Sequence, residues 1–221
     1  MNDFTVIYED NHIIVIEKPH GVLSQKDHTG EEDISDRIKE YIKIKYQKPG
    51  EVYLGHIHRL DRNAGGLMIF ARTSKAASRL SLQFREKTTT KEYIIVVEGK
   101  FPQQSGIMQD KIIKNEEKRI AQSSPSGKEA VLKFAIVSTF NKQNKVFTML
   151  HVILETGRFH QIRFQFAKRG FPVAGDAKYG STIKLPQGRI ALYSKKIEVI
   201  HPTKKETITF EKDPEQGWPF A

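Results

Sequence analysis

The chain has 221 residues, 38% of them hydrophobic and 13 of them phenylalanine, which suits one substantial domain with a real core. Its net charge of +10 attracts polyanions, meaning nucleic acid or an anionic membrane surface. Cysteine is absent, which excludes disulfides, thiolate zinc sites and iron–sulfur clusters, and no apolar run approaches the roughly 18 residues of a membrane span.

The first residues, MNDFTVIYEDNHII, have no basic stretch leading into a long apolar segment, so no signal peptide is expected, and the protein is expected to be soluble and cytoplasmic. Phe4–Tyr8 and His12–Ile16 flank a turn at Glu9-Asp10-Asn11 and predict a hairpin, ended by Lys18-Pro19-His20-Gly21. From Asp33 to Tyr46 the apolar positions Ile34, Ile38, Tyr41 and Ile42 recur at helical spacing, with Asp33 as the cap. Leu67–Ala71 reads as a buried strand, and Ser74 as the cap of a helix running through Leu80 and Phe84.

Strands dominate after that. Glu92–Glu98 is an apolar run, Ala130–Thr139 alternates, and Lys145–Glu155 places Phe147, Met149, His151 and Ile153 on one face. Lys111–Lys128 is rich in charge and reads as a surface loop or insertion. A helix is expected over Arg158–Lys168, stopped by Gly170, and two β runs follow at Ile190–Tyr193 and Glu206–Phe210. Helices scattered among strands without a βαβ rhythm predict an α+β fold, a mixed, largely antiparallel central sheet with flanking helices.

Two stretches carry chemistry. In GHIHRLDRNAGGLMIF, residues 55–70, Asp61 stands between Arg59 and Arg62, and Gly65-Gly66 permit backbone geometry that a side chain would block. A carboxylate flanked by cations is expected to be ionised and available as nucleophile or base. In TGRFHQIRFQFAKRG, residues 156–170, a helix starting near Arg158 would align Phe159, Ile162 and Phe166 and bring His160 close to Arg163 at i, i+3. Arg158 would then sit in the first turn, where the helix dipole disfavours a cation, which suggests a use such as a phosphate contact. His56 and His58 share strand spacing but lack a completing ligand in the local sequence, so no metal is expected. No dinucleotide fingerprint, P-loop or nucleophile elbow occurs.

Taken together these stretches resemble the RluA-type family of RNA pseudouridine synthases. The family's H-R-L-D-R is matched at His58–Arg62, its T-G-R-x-H-Q-I-R at Thr156–Arg163, and its P-I/V-x-G-D-x-x-Y-G at Pro172–Gly180. Lys91-Glu92-Tyr93 matches a K-x-Y element, Lys18, Pro19 and Gly21 an early K-P-x-G, and His201-Pro202 a late H-P pair. The ordered set covers nearly the whole chain. Asn63-Ala64-Gly65-Gly66 departs from the usual x-Thr-Ser-Gly, and Tyr193 stands where a histidine is common.

The resemblance implies the pseudouridine synthase fold with a central active-site cleft, as a single catalytic domain over residues 1–221 without a separate N-terminal RNA-binding domain. It implies isomerisation of uridine to pseudouridine in structured RNA, ribosomal or transfer, with no cofactor and no metal, by a protein that is a monomer by default and has no membrane partner. Asp61 would be the catalytic carboxylate; residue types leave open whether it attacks ribose or base or takes a sugar proton. Arg163 would pair with it, Tyr93 would stack on the target base or handle a proton, and Leu192 would form an apolar wall. Arg59 would fill the space left by a flipped base, since a planar guanidinium can stack there. Arg158, His160 and Lys168 would contact phosphates.

Overall fold

A computed structural model describes residues 4–26 and 30–220. The chain divides into two compact units, Met1–Thr89 with Ser194–Asp213, and Thr90–Tyr193 with Pro214–Ala221.

The first unit opens with the expected hairpin. β1 (Thr5–Glu9) and β2 (Ile13–Lys18) pair antiparallel, and Asp10 fixes the turn by accepting the backbone N–H groups of His12 and Ile13 at 2.8 Å each. α1 spans Ile34–Lys45, with Asp33 capping it by accepting Asp36 N–H at 2.9 Å, and Ile34, Ile38 and Ile42 form its buried stripe. β3 (Gly55–His56) and β2 both pair antiparallel with β4 (Gly65–Ala71), every residue of which is buried. α2 covers Ser74–Glu86, but its cap is Thr73, whose hydroxyl accepts Ala76 N–H at 3.2 Å. Thr73 and Ser74 are both good caps, and the backbone turns helical one residue earlier than the sequence suggested.

The second unit is built on strands in the order β5-β9-β8-β6-β7: β5 (Thr90–Glu98), β6 (Ser105–Asn115), β7 (Ile120–Ser123), β8 (Lys128–Lys142) and β9 (Lys145–Leu154), all paired antiparallel. The expected loop at Lys111–Lys128 is instead the β6–β7 hairpin and the start of β8. Met108, Asp110 and Ile112 alternate inward along β6, and the inward carboxylate makes that face look polar in the sequence. Phe147, Met149, His151 and Ile153 do share a face of β9, yet Thr148, Leu150 and Val152 opposite them are wholly buried. An almost unbroken apolar run cannot tell its two faces apart. Phe101, Phe134, Phe166 and Phe171 pack ring against ring, with centroids 4.8–6.1 Å apart.

α3 spans only Gln161–Lys168, so Arg158, Phe159 and His160 lie outside it, contrary to the helix expected from Arg158. Gly170, at φ +84, ends it as expected. β10 (Leu192–Ile200) begins with Leu192 and Tyr193 of this unit and continues in the first, where it forms an antiparallel hairpin with β11 (Thr207–Glu211). It runs well past the expected Ile190–Tyr193, because Ser194-Lys195-Lys196 interrupt the apolar pattern. In the first unit Ile13, Val15, Leu67, Ile69, Leu80, Ile197, Val199 and Phe210 close one core. The architecture is α+β with antiparallel strand pairing, as expected from the sequence. Among the described residues no helix is long and apolar enough to cross a membrane.

Candidate active site

Asp61 lies half-buried on the loop between β3 and β4, and the segment Lys18–Ser24 holds that loop in place. Ser24 Oγ donates to Leu60 O at 2.6 Å and accepts Leu60 N–H at 3.1 Å. Gly21 N–H donates to Arg62 O, and Arg62 Nε donates back to Gly21 O, each at 2.9 Å. Ala64 N–H closes a turn onto Asp61 O at 3.0 Å.

Lys18 is the hub. Its side chain is fully buried, and Nζ donates to Pro19 O at 2.8 Å, Val22 O at 2.9 Å and Arg62 O at 3.1 Å, so the three donors of an ammonium meet three carbonyls. Burial pushes its pKa down to about 7; the Asp61 carboxylate opposes the drop and Arg62 adds to it. The lysine of the early K-P-x-G therefore ties two chain segments together next to Asp61, a part that ending a strand did not reveal.

The glycine pair follows from close packing. A Cβ on Gly66 would come within 2.6 Å of Ser194 N, and its φ of +107 is one that few other residues adopt. A Cβ on Gly65 would stand 2.6 Å from the His20 ring, whose Nδ1 is 2.8 Å from Asn63 O. His20 thus occupies the space where the family pattern has a serine side chain, which gives the Asn63–Gly66 departure a local physical reason. Arg59 is exposed on the same loop, and Arg62 reaches Glu31 with both terminal nitrogens.

In the second unit the T-G-R-x-H-Q-I-R run owes its shape to Gln161. Its Oε1 accepts from Thr156 Oγ1 at 2.8 Å and from Arg158 N–H at 3.0 Å, while Nε2 donates to Val131 O at 3.1 Å. The tight turn so formed puts His160 in the left-handed region at φ 49, a strain on the order of 1–3 kcal/mol for a residue with a side chain. Only then does α3 start.

Arg163, in the first turn of α3, is buried and holds Asp176 in a two-pronged pair, Nε to Oδ2 at 2.6 Å and Nη2 to Oδ1 at 2.8 Å. Asp176 comes from the G-D of Pro172–Gly180 and is a partner the sequence reading did not name. The Arg163 guanidinium also lies 4.9 Å from the centre of the Tyr179 ring, and the Tyr179 hydroxyl accepts Ala121 N–H at 2.6 Å and meets His160 Nδ1 at 3.0 Å.

The remaining predicted residues are spread over both units. Tyr93 on β5 and Leu192 at the start of β10 are buried. Arg158 is half-exposed and donates Nε to Glu129 O at 2.8 Å. Lys168 is drawn to the buried Asp110 at 2.7 Å, beside Arg169 at 2.9 Å. His56 Nε2 lies 2.9 Å from Ser35 Oγ, and His58 Nε2 accepts Ile69 N–H at 3.1 Å, so each ring has a structural partner.

The sequence model of the family described as RNA pseudouridylate synthase matches residues 12–168. An uncharacterized RNA pseudouridine synthase of Bacillus subtilis (strain 168) is 32% identical over 211 residues, covering 95% of this chain and 68% of the relative. Ribosomal large subunit pseudouridine synthase D of Vibrio cholerae is 33% identical over 221 residues, at 93% and 65% coverage. Ribosomal large subunit pseudouridine synthase C of Vibrio parahaemolyticus is 30% identical over 207 residues, at 91% and 62% coverage, so the chain spans somewhat under two thirds of these two proteins. In fold it is similar to human RNA pseudouridylate synthase domain containing 4, with a TM-score of 0.77, 18% identity and coverage of 96% and 89%. With the matched motifs carried on an Asp61 loop built around Lys18 and a buried Arg163 on α3, the chain belongs to the RNA pseudouridylate synthase family.

Proposed function

We propose that the chain converts uridine to pseudouridine in large-subunit ribosomal RNA, with Asp61 as its catalytic carboxylate. The observation that carries this reading is the family match across residues 12–168, which includes Asp61, Tyr93 and Arg163. The names of the relatives from Vibrio favour ribosomal over transfer RNA as the substrate.

The reaction is an isomerisation and balances without a co-reactant. The N1–C1′ bond of uridine breaks, the uracil turns, C5 bonds to C1′, the proton on C5 leaves and N1 takes one up. A base stacked in a helix is out of reach of a side-chain carboxylate, so the target must be extruded, at a cost of a few kcal/mol. In this reading Arg59 stacks where the base was, Leu192 supplies an apolar wall, and Tyr93 stacks on the uracil or passes a proton. In the same reading Arg163, itself gripped by Asp176, orients the carboxylate. The net charge of +10 supports the backbone binding that any RNA substrate requires.

RNA transcribed with 5-tritiated uridine tests the reading. Large-subunit ribosomal RNA should release tritium with no added cofactor, transfer RNA should not, and Asp61→Asn should abolish release while binding the RNA normally. Full tritium release by Asp61→Asn would refute the assignment of the carboxylate, and release from transfer RNA alone would refute the substrate.

A further inference from the structure

Phe159 and His160 form a face-to-face ring pair just ahead of α3, with centroids 3.8 Å apart and planes within 20° of parallel. Both side chains are half-buried. Lys114 of β6 carries its ammonium over the Phe159 ring at 5.3 Å and also pairs with Glu116 at 2.5 Å. The His160 ring edge, through Nδ1, meets the Tyr179 hydroxyl at 3.0 Å, with the two rings T-shaped at 5.6 Å, and Arg163 lies over Tyr179. Rings and cations thus form a continuous series of contacts from the β6–β7 hairpin to Arg163.

The Phe159 ring packs against the small core of Ile112, Ala121 and Ala130, a task that a leucine could share. What a leucine would not offer is a flat aromatic surface, stacked on an imidazole, beside a cation and reaching solvent. Unpaired RNA bases are held on surfaces of this kind, by aromatic rings and histidines with a basic side chain near the phosphate.

We propose that the Phe159–His160 pair is a stacking platform for an unpaired base of the RNA substrate, with Lys114 on that nucleotide's phosphate. The proposal rests on the reading that this chain acts on RNA, and it gives the β6–β7 hairpin a part in placing the substrate. Every base has a π face, so the platform adds affinity and register rather than base identity.

The test uses the full chain and two probes, a single-stranded oligoadenylate and inorganic polyphosphate of similar length. Phe159→Leu should weaken oligoadenylate binding about 5- to 150-fold, the span expected for one stacked base, and leave polyphosphate binding unchanged. Lys114→Met should weaken both and lower the slope of log K against log salt by about 0.7. Phe159→Trp should bind like the parent, and the emission of the introduced indole should be quenched when the oligonucleotide binds, against a background of one other tryptophan, the buried Trp218. Unaltered oligoadenylate affinity in Phe159→Leu, an equal loss toward both probes, or unquenched emission in Phe159→Trp would each overturn the platform. If Phe159→Leu does not fold, the quenching result alone decides. Oligoadenylate contains no uridine, so these outcomes are independent of whether the chain makes pseudouridine.

Discussion

The Asp61 loop and the start of α3 each enclose a buried cation, and they neutralise it by different means. Lys18 is surrounded by three backbone carbonyls, two from its own segment and one from Arg62. Arg163 grips the Asp176 carboxylate through two parallel hydrogen bonds. The carbonyl cage ties stretches of backbone to each other, so what it fixes is the shape of a loop. The ion pair fixes the direction of one side chain. The cations suit these tasks: lysine offers three donors to scattered acceptors and can lose its proton, whereas arginine presents a rigid fork and stays charged.

Of the two cations, Arg163 should lose the most when its partner, Asp176, is changed. Replacing it with alanine takes both of those hydrogen bonds from a buried guanidinium, and that should cost about 3–5 kcal/mol of stability in urea unfolding. Arg163→Met together with Asp176→Leu removes both charges and should recover most of the loss, because an apolar pair of similar volume avoids desolvating ions. Activity should stay lost in the double variant if Arg163 orients the catalytic carboxylate. A loss under about 1 kcal/mol in Asp176→Ala would place the pair among exposed ion pairs and remove the contrast.

Lys18 gives a smaller effect that depends on pH, and its sign follows from proton counting. In the folded chain its pKa is lowered to about 7, while the unfolded chain keeps the ordinary value of 10.5. Between those values the unfolded state binds more protons, so this residue makes stability rise with pH through that window. Lys18→Met should remove the contribution. The difference in unfolding free energy between parent and variant should therefore grow by roughly 1.4 kcal/mol per pH unit across the window, and level off on either side. A pH-independent difference would mean that the amine titrates normally and that the cage holds a fully charged ammonium throughout. Arg163, which cannot titrate in this range, should give no such slope when its pair is replaced.

Much of this architecture was legible in the sequence where local chemistry and periodicity agree. The first hairpin has turn residues between two β-branched runs, α1 has Asp33 at its cap and isoleucines four apart, and β4 is an unbroken apolar run. The β6–β7 hairpin was hidden because Asp110 points inward, held by Gln165, Lys168 and Arg169; a buried, paired charge reads as surface until its partners, 55 to 59 residues away, are known. The start of α3 was placed too early because helical spacing continues back through Phe159, while the side-chain hydrogen bonds of Gln161 and the left-handed His160 leave no trace in periodicity. In the site, Asp61 stood out between its arginines. Lys18 and Asp176 lay within recognised motifs, but their roles depend on acceptors and donors that only folding brings near, such as Arg62 O, 44 positions from Lys18.

On the outside of the Asp61 loop a change of charge should matter least. Arg62 reaches Glu31 with both terminal nitrogens, two-pronged as Arg163 is toward Asp176 through Nε and Nη2, yet both partners are nearly half-exposed. Water competes for these charges and salt screens them, so Glu31→Gln should cost at most about 1 kcal/mol, falling toward zero near 1 M salt where the screening length is roughly 3 Å. The loop should keep its shape, because Arg62 Nε still donates to Gly21 O and Arg62 O still accepts from Gly21 N–H and Lys18. Tritium release should consequently be unchanged in Glu31→Gln. A stability loss as large as that of Asp176→Ala, or one that persists at high salt, would mean that the loop is held by its surface charges rather than by the carbonyls gathered around Lys18.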